Sequence, residues 1–180
     1  MRAAIDKFRL VFLHPPKTGG TSLYTYFSAL AGEHRWAGGN DLPKHLKTEL
    51  TEEQWRDYTW VMTVREPFQR LVSAYKFFSR YHASGMEFDA FLALAVSDYQ
   101  DRSVHWNLPQ VRWLPDHKVP MIYKCEELSA KFPDMKKVMR PSKGPSWEEL
   151  WTPKRQKIVS KHYSEDYERF DYAAPSPTSF

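Results

Sequence analysis

The chain has 180 residues, of which 42 % are hydrophobic and 16 % aromatic, too much apolar material for a disordered polypeptide. Its single cysteine, Cys125, excludes an internal disulfide framework and a cysteine-rich zinc site. The net charge of +4 favours an anionic ligand, while no long basic run, zinc-finger spacing or RNA-binding aromatic signature points to nucleic acid.

Residues 8–13 (FRLVFL) read as a short buried strand stopped by Pro15 and Pro16. Beyond the Gly19-Gly20 turn, Leu23, Tyr26, Phe27 and Leu30 form a helical stripe. Residues 34–47 are glycine-rich and mixed in charge, an irregular excursion, and Thr51-Glu52-Glu53-Gln54 has capping-box spacing that opens a short helix. Residues 58–64 (YTWVMTV), rich in β-branched and aromatic side chains, predict a second strand. Pro67 suits the first turn of a helix whose apolar side is Phe68, Leu71, Val72, Tyr75 and Phe78, and Phe88, Phe91, Leu92 and Ala95 give another helical face.

Residues 99–118 read as a long loop, of the kind more often functional than filler. Residues 119–124 (VPMIYK) predict a third strand, with Pro120 tolerable only near its start. A last helix begins at Thr152-Pro153 and buries Val159, Tyr163, Tyr167 and Phe170. Strands separated by helices argue an α/β domain with a mainly parallel sheet. One domain over residues 1–172 is expected, with 173–180 as a flexible tail.

The strongest local signal is His14-Pro15-Pro16-Lys17-Thr18-Gly19-Gly20-Thr21-Ser22, lying between a strand and a helix. Glycines let backbone approach a ligand closely, and the helix start offers unpaired N–H groups that suit a phosphate. Lys17 adds a full charge, and Thr18, Thr21 and Ser22 add hydroxyls. A glycine turn with a threonine cap explains the glycines, but not why Lys17 and three hydroxyls crowd one turn. The stretch is no Walker A loop, because Lys17 precedes both glycines instead of following the second.

The second signal is Arg65-Glu66-Pro67-Phe68-Gln69-Arg70-Leu71-Val72-Ser73-Ala74-Tyr75. Arg65 ends the second strand, and in a parallel sheet that end opens on the same edge as the Lys17 turn, where ligands of open α/β folds bind. Arg65 offers a bidentate phosphate contact and Ser73 a neutral donor. Either could instead be solvated or structural, and Arg70 is the better candidate for a structural role.

Together these stretches resemble the sulfotransferases that use 3'-phosphoadenylyl sulfate (PAPS): the first resembles their 5'-phosphosulfate loop, and RxPxxRxxSxY their 3'-phosphate motif. Lys44-His45-Leu46, Trp55 and Tyr58, His105-Trp106-Asn107-Leu108-Pro109-Gln110, residues 122–128 (IYKCEEL) and residues 163–172 (YSEDYERFDY) extend the likeness toward the carbohydrate (Golgi-type) branch. The resemblance covers roughly residues 8–172.

The resemblance implies an α/β, P-loop-like three-layer fold with a mainly parallel central sheet flanked by helices. It implies that Lys17, Thr18, Gly19, Gly20, Thr21 and Ser22 hold the 5'-phosphate and sulfuryl group, and that Arg65 and Ser73 hold the 3'-phosphate. Lys143, in Arg140-Pro141-Ser142-Lys143-Gly144, falls where the family has a loop closing over the nucleotide, and is either a further 3'-phosphate contact or solvated. The implied reaction moves a sulfuryl group from PAPS to an acceptor hydroxyl, in a carbohydrate or other small molecule, and leaves adenosine 3',5'-bisphosphate. Lys17 would neutralise charge developing on the bridging oxygen, and no metal is expected.

The acceptor must lose a proton, and seven histidines compete for that role. In the resembling enzymes a catalytic His precedes the 3'-phosphate motif by about twenty residues, and His45 lies twenty before Arg65, which makes His45 the first candidate. His105, beside Trp106, is a second, and His14, beside the loop, a third. Trp36, Trp106 and Trp113 either stack on an acceptor or pack the interior.

With no apolar run near the roughly 20 residues of a bilayer span and a poor signal peptide in the opening residues, the expectation is a soluble, cytoplasmic enzyme with no membrane or nucleic-acid partner. Its partners would be a nucleotide sulfate donor and a hydroxyl-bearing acceptor. The alternatives are a nucleotide-dependent kinase, which lacks its Walker lysine, and a non-catalytic module that binds adenosine bisphosphate or sulfated glycans.

Overall fold

A computed structural model of the chain describes residues 4–32, 43–81, 85–97, 106–135 and 144–173. In chain order these form β1 (Ala4–Ile5), β2 (Leu10–Leu13), α1 (Gly20–Leu30), α2 (Pro43–Leu46), α3 (Glu52–Asp57), β3 (Thr59–Val64), α4 (Pro67–Tyr81) and α5 (Phe88–Ala95). There follow β4 (Met121–Lys124), α6 (Leu128–Lys131), α7 (Trp147–Leu150), α8 (Pro153–His162) and α9 (Ser164–Arg169). The chain divides into two units, Met1–Arg65 with Arg112–Arg140 and Glu66–Val111 with Pro141–Phe180.

The first unit is built on a sheet of order β1-β2-β3-β4. β1 runs antiparallel to β2, whereas β2, β3 and β4 are parallel, with Leu13 opposite Met62 and Val64 opposite Lys124. The architecture is thus α/β around a mostly parallel sheet. β3 is an interior strand, and its unbroken run from Trp60 to Val64 is buried throughout, the pattern of a parallel strand covered on both faces. Ile5, Phe12, Leu23, Tyr24, Val61 and Leu128 make the core of this unit. Its rings meet edge-on, as where Phe12 and Tyr24 lie 5.4 Å apart.

Three strand starts differ from the sequence expectation. β2 begins at Leu10 because Asp6–Phe8 close a 3-10 turn and Arg9 follows in the left-handed region at φ 51°. The Asp6 carboxylate fixes that turn by accepting from Gln54 Nε2 at 2.8 Å and from the Tyr58 hydroxyl at 3.0 Å. β3 starts one residue late, at Thr59. β4 starts at Met121, directly after Pro120, which has no N–H for a ladder. The capping box of α3 forms as expected, with Gln54 N donating to Thr51 Oγ1 and Thr51 N donating to Gln54 Oε1.

The second unit is helical. Phe68, Leu71 and Val72 of α4 are buried with Phe88, Phe91, Leu92, Trp106, Val159, Tyr163 and Tyr167. Glu66 caps α4 by accepting from the amides of Phe68 (3.0 Å) and Gln69 (2.7 Å), and Tyr167 donates to the same carboxylate at 2.7 Å. The expected last helix is two: the chain bends at Tyr163 (φ −107°, ψ 26°), between α8 and α9, and Val159, Tyr163, Tyr167 and Phe170 are all still buried.

Within the expected loop of residues 99–118, Gln110–Trp113 form a 3-10 turn. Asp166 anchors its start by accepting from the amides of Gln110 (2.8 Å) and Val111 (2.9 Å). Arg70, almost fully buried, donates to the carbonyls of Leu108 and Trp106 at 2.9 and 3.1 Å. Arg70 is therefore structural, as expected from sequence.

Candidate functional site

β2 ends at Leu13, and after six intervening residues the chain enters α1 at Gly20. Between them lie two left-handed residues, Lys17 at φ 71° and Gly19 at φ 80°. Glycine adopts that conformation freely, whereas a lysine is held there at a cost of about 1–2 kcal/mol. Such strain persists only where surroundings over-determine it, commonly at ligand clamps.

Thr18 supplies that constraint. Its side chain is fully buried, and its hydroxyl donates to Pro15 O at 2.7 Å. That leaves it to accept from Thr63 Oγ1, 2.8 Å away on β3. Thr18 thus pins the turn to the sheet through its side chain. The close approach that the glycines allow is, among the described residues, to the protein itself. A Cβ on Gly19 would lie 3.1 Å from both Cys125 Sγ and Leu128 Cδ1, and one on Gly20 only 2.4 Å from His14 Cδ2.

Because β2, β3 and β4 are parallel neighbours, their C-terminal ends open on one edge of the sheet. The Lys17 turn follows β2, Arg65 follows β3, and Lys124 ends β4, so three cationic residues collect there. Burial brings the Lys17 ammonium down to about 8, and the nearby Arg65 guanidinium pushes it the same way. Beside them is the start of α1. The amides of Ser22 and Leu23 turn back to Gly19 O, leaving those of Gly19, Gly20 and Thr21 outside the helix's own ladder. Cations crowded at a helix start make an edge that an anion would relieve.

His14 lies beneath the turn. Burial, reinforced by the Lys17 charge, pushes its imidazole down to about 4, so the ring is neutral at ordinary pH. Its Nε2 is 3.3 Å from Thr21 Oγ1, and its Nδ1 is enclosed with no hydrogen-bond partner among the described residues. Thr21 and Ser22 are half-buried in the first turn of α1.

The remaining sequence candidates sit on other elements or outside the described residues. Ser73 is half-buried on α4, in the second unit. His45 is exposed on α2, and its carbonyl accepts from the Thr48 hydroxyl at 2.9 Å. His105, Lys143 and Trp36 lie outside the described residues. Trp106 and Trp113 are both buried, and Trp106 stacks on Phe91 at 4.7 Å, so these two pack the interior. Sequence reasoning missed Thr63 and Lys124. Their signal was position: each sits at the C-terminal end of a parallel strand, where α/β sites gather.

No helix among the described residues is long and apolar enough to cross a membrane. Residues 4–140 match the family model described as Sulfotransferase family. No curated protein and no solved structure matches the chain. The match runs from β1 past β4 and takes in both the Lys17 turn and Arg65, and with it the chain belongs to the sulfotransferase family.

Proposed function

We propose that the protein transfers a sulfuryl group from 3'-phosphoadenylyl sulfate to a hydroxyl on a carbohydrate or other small acceptor. The reading takes residues 1–172 as one catalytic domain of P-loop-like, three-layer design, nearest the carbohydrate branch of the family. Sulfuryl transfer in general follows from family membership; the donor, the acceptor and the residue roles are the proposal.

One observation carries it: Lys17 and Arg65 lie close enough for the guanidinium to depress the ammonium, at the sheet edge where α1 begins. Two like charges held together in partly dehydrated surroundings destabilise the chain alone and suit a polyanion. The donor set fits a nucleotide with phosphates at both ends. Lys17, the amides of Gly19, Gly20 and Thr21, and the hydroxyls of Thr21 and Ser22 would hold the 5'-phosphosulfate. Arg65 would hold the 3'-phosphate, a role the family resemblance also gives to Ser73 and Lys143. Thr18 contributes by fixing the turn, since its hydroxyl is already committed to Pro15 and Thr63.

When bound, the donor supplies an activated sulfuryl group and a phosphate leaving group. Lys17 then neutralises negative charge at the turn, and fixed positive ends oriented in advance lower the barrier by electrostatic stabilisation. His45, which is exposed, is the first candidate to take its proton, with His105 second. His14 is unsuited to that role, because its basicity is suppressed and its Nδ1 is enclosed.

The test is thermal denaturation with adenosine 3',5'-bisphosphate and, separately, with ATP and magnesium. The bisphosphate should raise the melting temperature by mass action, and ATP with magnesium should do so much less. Greater stabilisation by ATP would overturn the reading.

A further inference from the structure

We propose that His14 is a positioning residue: its Nε2–H donates to Thr21 Oγ1 and so turns the Thr21 hydroxyl proton outward, as a donor to the anionic group at the turn. This rests on the donor reading above, but it concerns a pair of side chains whose arrangement is observable without any ligand.

Four observations converge on the pair. The Cδ2–Nε2 edge of the His14 ring lies against Gly20, where a Cβ would come within 2.4 Å of Cδ2 and 3.0 Å of Nε2. Only the missing side chain of Gly20 lets the ring sit there. The same edge brings Nε2 to 3.3 Å from Thr21 Oγ1.

The ring is neutral, because burial and the Lys17 charge hold its basicity far below the usual imidazole value, so it carries a single N–H. The opposite nitrogen, Nδ1, is enclosed without a partner among the described residues. A buried N–H without an acceptor is rarer in proteins than a buried acceptor without a donor. The proton therefore belongs on Nε2, and the bare lone pair on Nδ1.

Thr21 then has only one way to use its own proton. In the middle of a helix a threonine hydroxyl donates back to the carbonyl four residues earlier. For Thr21 that residue is Lys17, which lies before α1 in a left-handed conformation. With Nε2–H occupying its acceptor side, the hydroxyl is left as a donor. An anion at the turn, which has no proton to give, needs such a donor.

The first experiment uses the wild-type chain, labelled with ¹⁵N at histidine, and long-range ¹H–¹⁵N spectra without ligand. A protonated, pyrrole-type Nε2 with a pyridine-type Nδ1 at His14 is expected, and the reverse would overturn the proposal. The second is a double-mutant cycle read by calorimetric titration with adenosine 3',5'-bisphosphate. Thr21→Val should weaken binding about 10-fold, the effect of losing one hydrogen bond to a charged group.

His14→Gln should stay within about two-fold of wild type, because its amide N–H can replace Nε2–H. His14→Phe should weaken binding several-fold when Thr21 is present and add almost nothing to Thr21→Val. Additive effects of the two, or failure of Gln to restore what Phe removes, would overturn the role of His14. Absence of bisphosphate binding by the wild-type chain would overturn the donor reading instead, and the ring spectrum would still decide where the His14 proton sits.

Discussion

Replacing Lys17 with methionine should make the protein more stable and its ligand binding weaker. Methionine keeps a Cβ at φ 71°, so the backbone strain is unchanged while the charge is removed. In the folded chain the ammonium titrates at about 8, against an ordinary value of 10.5, because of burial and then Arg65. The difference corresponds to about 3 kcal/mol at about 1.4 kcal/mol per pH unit. Lys17 is only half-buried, and water screens part of that, so about 1–3 kcal/mol is the expected gain at pH 7.

The sign follows from proton counting. Between pH 8 and 10.5 the unfolded chain keeps the Lys17 proton that the folded chain has released. Stability therefore rises with pH across that window, while the full cost of the charge persists below pH 8. Urea unfolding of wild type and Lys17→Met at pH 7, 8, 9 and 10 isolates the effect, since other groups cancel in the difference. The variant should lead by most at pH 7, and its lead should shrink through the window at a constant denaturant slope. Binding of adenosine 3',5'-bisphosphate should meanwhile weaken by about 10- to 100-fold, the range for a charged hydrogen bond. A variant less stable than wild type at pH 7, or a lead that does not change with pH, would refute the reasoning.

Gly20→Ala tests how tightly the turn is packed. An alanine in a helix ordinarily gains about 1 kcal/mol over glycine, but here its Cβ would meet His14 Cδ2 at 2.4 Å. Destabilisation in urea unfolding, with weaker bisphosphate binding, is the expected result; a more stable variant would mean the ring does not lie where described. In the second unit, Arg70→Met should cost about 3–5 kcal/mol, as expected when a buried charged group loses its partner. It would strand the carbonyls of Leu108 and Trp106, and remove the guanidinium whose charge favours the buried Asp166 carboxylate. Arg70→Lys should recover little of that loss, because an ammonium cannot reproduce the planar fork; a urea midpoint near wild type for either variant would contradict this.

The parts of the fold legible in the sequence are those whose cause is local. β3 was visible because a strand buried on both faces reads as a nearly continuous apolar, β-branched run, and residues 60–64 supply one broken only by Thr63. The start of α3 was visible because a capping box is complete within four residues. β1 was not, since two residues acquire strand character only by pairing with Leu10 and Val11. The break at Tyr163 was hidden for the opposite reason. α8 and α9 both turn apolar side chains inward, so the periodicity continues across a bend in the backbone.

The site divides along the same line. Lys17, Gly19 and Gly20 announced a turn at a helix start, and parallel strand order alone put Arg65 on the same edge. What residue types could not announce is which hydroxyls face inward. Thr18 and Thr21 look equivalent in the sequence, three residues apart around two glycines. Yet one is fully buried on Thr63, and the other is half-buried beside His14. The distinction arises from strand β3, which delivers Thr63 beneath the turn from 45 residues away. A lysine in the left-handed region carries no local signature either, because its own preference opposes that conformation. The turn is held by Thr18 and Thr63 against the preference of Lys17. The strain and the cationic crowding therefore have a common origin: a long-range hydrogen bond fixes in advance a charge arrangement that the local sequence would relax.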